Sequence, residues 1–203
     1  MAARLPVEFP LAPERMARGF QIKNESSIGT VLFLHDLCKD LDEFGKLPDL
    51  LAEQGWDVVC VDLIGHGLSD GDAPEPARLL VDVQALLNLL TEPERPLGLV
   101  VSGVTASMST LIGRSDGVPA HVVINPVADD SLIAQGRRAQ ATRMVLHGDG
   151  EVLVGTPTQK YFQLQLGEKM LVHSPVMASG VVGVLEERAL RAHVELFFKR
   201  YLR

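Results

Sequence analysis

Short apolar runs recur along the chain, and each is followed by a stretch with helical spacing. Thr30–Leu34 (TVLFL), Asp57–Val61 (DVVCV), residues 97–101, 122–125 (VVIN), 144–147 (MVLH) and Lys169–His173 (KMLVH) read as buried strands. Their central residues form continuous apolar runs rather than alternating, as in strands covered on both faces. Between them, residues 44–54 place Leu47, Leu50 and Leu51 on one helical face. Residues 78–90 carry a broad stripe of Leu79, Leu80, Val83, Leu86, Leu87 and Leu90. A short helix is predicted over 105–112, another over 156–166, and a closing one over 186–202 with Leu190, Val194, Phe197, Phe198 and Tyr201 at three-to-four spacing. Strands alternating with amphipathic helices predict an α/β fold, a mostly parallel sheet with helices on both faces. Residues 1–29 are less regular, and patches at 7–9 and 20–23 suggest an antiparallel edge. Residues 30–203 hold the repeating pattern, and the whole reads as a single domain.

Composition narrows the function classes. The net charge of −7 offers no basic face for nucleic acid. No run approaches the roughly 18 apolar residues of a membrane span. Prolines and charges interrupt the first sixteen residues (MAARLPVEFPLAPERM) where a signal peptide needs an unbroken apolar segment, so a cytoplasmic location is expected. Cys38 and Cys60 form no metal pattern, and Cys60, inside an apolar run, reads as a core residue. No metal cluster and no dinucleotide fingerprint is present, so neither a metal nor a cofactor is expected. The ligand or protein partner is left open.

Sites in open parallel sheets form where strands end. After the first predicted strand comes Leu34-His35-Asp36-Leu37, and after the second Asp62-Leu63-Ile64-Gly65-His66-Gly67-Leu68-Ser69. This pair resembles the α/β-hydrolase superfamily, whose members show a His-Gly loop after one strand and D-x-x-G-H-G-x-S after the next. The second motif matches at every fixed position. The resemblance covers roughly residues 28–202 and is closest to small members without a cap domain.

The resemblance implies a catalytic triad and an oxyanion hole. The hole's donors would be the backbone N–H of Leu37 and that of the residue after the nucleophile. Asp36 replaces the usual glycine, which is unfavourable for an oxyanion unless the side chain turns away. Asp36, Leu37, Val104 and Ala106 are therefore the expected pocket residues. The nucleophile belongs on a tight turn, G-x-S-x-G, but the segment reads Val101-Ser102-Gly103-Val104-Thr105-Ala106-Ser107. Three registers compete: Gly103, which leaves no nucleophile; Thr105, flanked by Gly103 and Ser107; and Ser107. Glu151 stands at the acid's position, with Asp149 nearby. Val181 stands where the histidine is expected, and His173, about eight residues early, is the substitute. His66 reads as a structural loop histidine, His121 as lying opposite the site and His193 as a surface residue.

Three functions follow from these residues. The first is a pseudoenzyme that binds a small ligand or a partner protein. The second is an atypical esterase, thioesterase or acyltransferase acting on short acyl groups through Thr105 or Ser107, His173 and Glu151. The third is lyase chemistry at Asp36 or His35.

Overall fold

The computed structural model describes residues 3–133, 138–148, 156–173 and 187–202. Its centre is one eight-stranded sheet in the order β1-β2-β4-β3-β5-β6-β7-β8. The strands are β1 Leu5–Ala12, β2 Arg15–Ile22, β3 Thr30–Leu34, β4 Asp57–Val61, β5 Leu97–Ser102, β6 Ala120–Ile124, β7 Thr142–His147 and β8 Lys169–His173. From β3 to β8 every pairing is parallel, while β1–β2 and β2–β4 are antiparallel. The N-terminal edge is longer than its apolar patches suggest, because Pro6, Pro10 and the charged residues of these half-exposed strands hide the alternation.

Successive side chains of a strand point to opposite faces. Val31 and Phe33 therefore join one core with α1 (Leu47–Glu53) and the closing helix, called α5 (Arg188–Tyr201). Leu32 and Leu34 join the other, with α2 (Pro76–Leu90), a 3-10 helix at Gly103–Thr110 and α4 (Pro157–Leu164). A short α3 (Asp130–Ile133) lies between β6 and β7. Among the described residues no cap domain interrupts these connections. The helix expected over 44–54 is in fact two pieces, a 3-10 turn at Leu41–Phe44 and α1. Gly45, at φ 51°, breaks it between them. Cys60 is buried in the core and Cys38 is exposed, both as free thiols.

The strand order reverses around β3: β4 lies on one side and β5 on the other. Such a switch point opens a crevice at the carboxyl ends of the two strands that diverge. Leu34 of β3 pairs with Val101 of β5, so the chain continues from there into His35-Asp36 on one side and Ser102-Gly103 on the other.

Candidate active site

Gly103 makes the turn out of β5, with φ 55°. That left-handed conformation suits glycine and strains any other residue. Of the three registers, only the one with no nucleophile puts the residue at positive φ directly after the strand. A Cβ on Gly103 would also lie 2.1 Å from Cγ and Oδ2 of Asp36, far inside van der Waals contact. The aspartate has thus taken the space above the turn that a side chain at position 103 would need.

Asp36 does not turn away, the condition under which its carboxylate would be compatible with an oxyanion. Its Oδ1 accepts hydrogen bonds from the N–H of Leu37 at 2.7 Å and the N–H of Val104 at 2.9 Å. These are the two donors named above for an oxyanion. Hydrogen bonds to a charged acceptor contribute about 1.5–3 kcal/mol each, so the carboxylate competes strongly for the hole. Its loop is held in turn by Glu43, whose Oε2 accepts from the Asp36 N–H at 2.9 Å and from the Ser102 hydroxyl at 2.6 Å. Sequence reasoning missed Glu43, for its role depends on contacts across the fold and no motif marks it.

The other hydroxyls are withdrawn. Thr105 is fully buried and its Oγ1 has no hydrogen-bond partner. Ser107 is fully buried too; its hydroxyl donates to the Val127 carbonyl at 2.8 Å and accepts the Asp129 N–H. Ala106 is buried between them and Val104 is half-buried. No described imidazole is hydrogen-bonded to either hydroxyl. His173 ends β8, three strands from β5, or about 14 Å at roughly 4.8 Å per strand. It is exposed, and its ring lies 5.7 Å from that of His147. The proposed pairing of His173 with Thr105 or Ser107 is therefore not formed, because the sheet separates them. Asp149, Glu151 and Val181 lie outside the described residues.

The remaining histidines hold the scaffold. His35 is buried; its Nδ1–H donates to the Asp36 carbonyl at 2.7 Å, and its Nε2 accepts the Leu63 N–H at 2.9 Å. Both nitrogens are occupied, and burial, the main cause, pushes its pKa below the usual value. It has no free lone pair to serve the lyase chemistry considered above. His66 spans the Leu37 and Ile64 carbonyls at 2.7 and 3.0 Å. His121 is buried at the other end of the sheet, with its pKa driven well down by burial and then by the nearby Arg143 charge. His193 is exposed, and its Nδ1 lies 2.7 Å from the Ala189 carbonyl.

The D-x-x-G-H-G-x-S loop is built around Asp62. Its Oδ1 accepts the Leu41 N–H and its Oδ2 the Leu68 N–H, both at 2.9 Å. Gly67, at φ 48°, lies so close that a Cβ would fall 2.0 Å from Oδ2. The Ser69 hydroxyl donates to the Asp62 carbonyl at 2.6 Å and accepts the Arg18 N–H at 2.8 Å. Every fixed position of this motif that carries a side chain shapes the loop.

Comparisons with known proteins agree with the fold. The profile of the serine aminopeptidase family S33 matches residues 25–114. Among solved structures, the Pyrococcus furiosus esterase Pf2001 superposes with a TM-score of 0.78 at 17% identity, over 100% of this chain and 92% of the esterase. A dienelactone hydrolase from Anabaena variabilis gives 0.79 at 17% identity, over 100% and 99%. The bottromycin epimerase BotH, solved with bottromycin A2, gives 0.67 at 14% identity, over 95% and 99%. No curated protein sequence matches.

Proposed function

From the premise that this chain has the α/β-hydrolase fold, we propose that it is a non-hydrolytic member that binds a small ligand or a partner protein at the carboxyl edge of its sheet. One observation carries the reading: the Asp36 carboxylate sits over Gly103 and accepts both backbone donors that acyl transfer would require. A glycine has no nucleophile to give, and a filled hole has no donors left for a developing oxyanion. Loss of a triad member alone lowers turnover by about 10⁴–10⁶. The fold does not impose hydrolysis, since one neighbour is named as an epimerase. A cytoplasmic setting fits the two free cysteines. The purified protein is expected to hydrolyse p-nitrophenyl acetate no faster than an equal concentration of its Thr105→Ala/Ser107→Ala variant. An enzyme-like rate abolished by those substitutions would refute the proposal.

The esterase and dienelactone hydrolase neighbours favour a second reading, an esterase, thioesterase or acyltransferase for short acyl groups using Thr105 or Ser107. It requires one of these buried hydroxyls to emerge and meet a base. Covalent labelling of Thr105 or Ser107 by a fluorophosphonate probe would support it, and absence of an adduct would exclude it.

A further inference from the structure

The opposite edge of the sheet carries a groove of about 480 Å³, lined by Leu111, Arg114, Ser115, Arg138, Gln140 and Leu166, with Asp116 and Ala139 beside them. All of these residues precede β6, β7 or β8, so the groove lies at the amino-terminal ends of those strands, away from Asp36 and Gly103. Its size falls in the range of small-molecule sites, about 300–1,000 Å³. Its floor is fixed by backbone pairing: Gln140 bridges Leu166, and the Arg114 N–H donates to the Gln140 carbonyl at 2.9 Å.

The arginines here differ from those of the chain's first hundred residues. Each of the five arginines before residue 100 is ion-paired: Arg4 with Asp49, Arg15 and Arg78 with Asp82, Arg18 with Glu8 and Asp70, and Arg95 with Asp57. Arg114 and Arg138 have no carboxylate partner among the described residues. The Arg114 guanidinium donates to the Thr142 hydroxyl at 3.3 Å, and that of Arg138 to the Leu164 carbonyl at 3.2 Å. Behind the groove wall lies Arg143, fully buried and also without a carboxylate partner among the described residues. Its guanidinium donates to the carbonyls of Ala139 and Leu166, which line the groove, and to those of Ser109, Ile112 and Ala141. The one carboxylate at the rim, Asp116, is engaged by the Gly113 N–H at 2.8 Å and lies 3.4 Å from the Ser115 hydroxyl that donates to it. In a chain of net charge −7, two guanidinium groups line this groove and a third lies behind its wall, none of them ion-paired among the described residues.

We propose that this groove binds a small organic phosphate, its head held between Arg114 and Arg138 and its body against Leu111, Ala139 and Leu166. Two guanidinium groups without a carboxylate partner among the described residues match the charge of a phosphate monoester, about −1.5 to −2 at neutral pH. Their planar forks suit its oxygens, and the buried Arg143 adds a field of the same sign from behind. The site is independent of the carboxyl edge, so it stands whether or not Asp36 blocks hydrolysis.

Titration calorimetry with phenyl phosphate at fixed ionic strength tests this. Saturable binding with a Kd of about 1 mM or tighter is expected. Arg114→Gln/Arg138→Gln should weaken it at least about tenfold, each single variant should give part of that loss, and benzoate should bind wild type at least about tenfold more weakly. Asp36→Ala should leave it unchanged. Both arginines are exposed, so a thermal melt matching wild type would show the double variant folded. No saturable binding, equal binding by the double variant, equal affinity for benzoate, or loss on Asp36→Ala would each overturn the proposal.

Discussion

Two loops leave neighbouring parallel strands at the same edge of the sheet, and each has an aspartate accepting two backbone N–H groups. In the loop after β4, Asp62 is 2% exposed and holds Leu41 and Leu68. In the loop after β3, Asp36 is half-buried and holds Leu37 and Val104. The first loop keeps every fixed position of the hydrolase motif, while the second carries Asp36 where the family resemblance puts a glycine. Motif retention in one loop therefore speaks for the loop's architecture and carries no information about chemistry in the next. Asp62 is the scaffold's carboxylate. On the proposed reading, Asp36 stands in for an oxyanion.

The sharpest way to break this comparison is to remove each carboxylate in turn. Asp62→Ala should destabilise by about 2–6 kcal/mol, because it removes a carboxylate that is 2% exposed and leaves two backbone N–H groups without their acceptor, each worth about 1–3 kcal/mol. Urea unfolding checks this. Next comes Gly103→Ser, which places a side chain at φ 55° and drives it into the Asp36 carboxylate; a loss of about 1–3 kcal/mol is expected in the same assay.

Asp36→Ala should cost less than Asp62→Ala, under about 2 kcal/mol, since water or an anion can reach the freed N–H groups. It should also gain weak binding of acetate, seen as saturable amide shifts of Leu37 and Val104. Equal losses for the two alanine variants would erase the distinction between scaffold and stand-in.

A smaller effect concerns His35, which bonds to both loops through Asp36 and Leu63. Its pKa is lowered in the folded state, chiefly by burial, so the unfolded chain takes up its proton first on acidification. Its contribution is thus fully present above the unfolded value of about 6.5 and is lost as pH falls through the folded value, by at most about 1.4 kcal/mol per pH unit. His121 shifts in the same direction at the far end of the sheet. Denaturation midpoints measured from pH 7 downward should fall, and His35→Gln should flatten part of that decline.

Much of this fold was readable because buried parallel strands carry unbroken apolar runs, as residues 31–34 and 58–61 do. The stripe of α5 was equally plain, with Leu190, Val194, Phe197 and Phe198 all buried. Less could be read where a single residue redirects the chain. Gly45 split a helix that periodicity alone carried through. The site was legible as an absence: no serine elbow and an unexpected Asp36. Which way Asp36 turns was not legible, since it depends on the room left by Gly103 across the sheet and on Glu43 beneath it. The distance from His173 to the turn after β5 depends on strand order, which no local pattern records. The field at the opposite edge depends on which arginines find carboxylates, and that too is set by the fold.

The central claim, that the Asp36 carboxylate occupies the space of the missing elbow side chain, is tested most directly by a double-mutant cycle. Unfolding free energies would be measured for wild type, Asp36→Gly, Gly103→Ser and the pair. A favourable coupling of about 1–3 kcal/mol is predicted, the serine being tolerated once the carboxylate is gone. Strictly additive losses would mean that the two residues do not compete for one space, and would contradict the account.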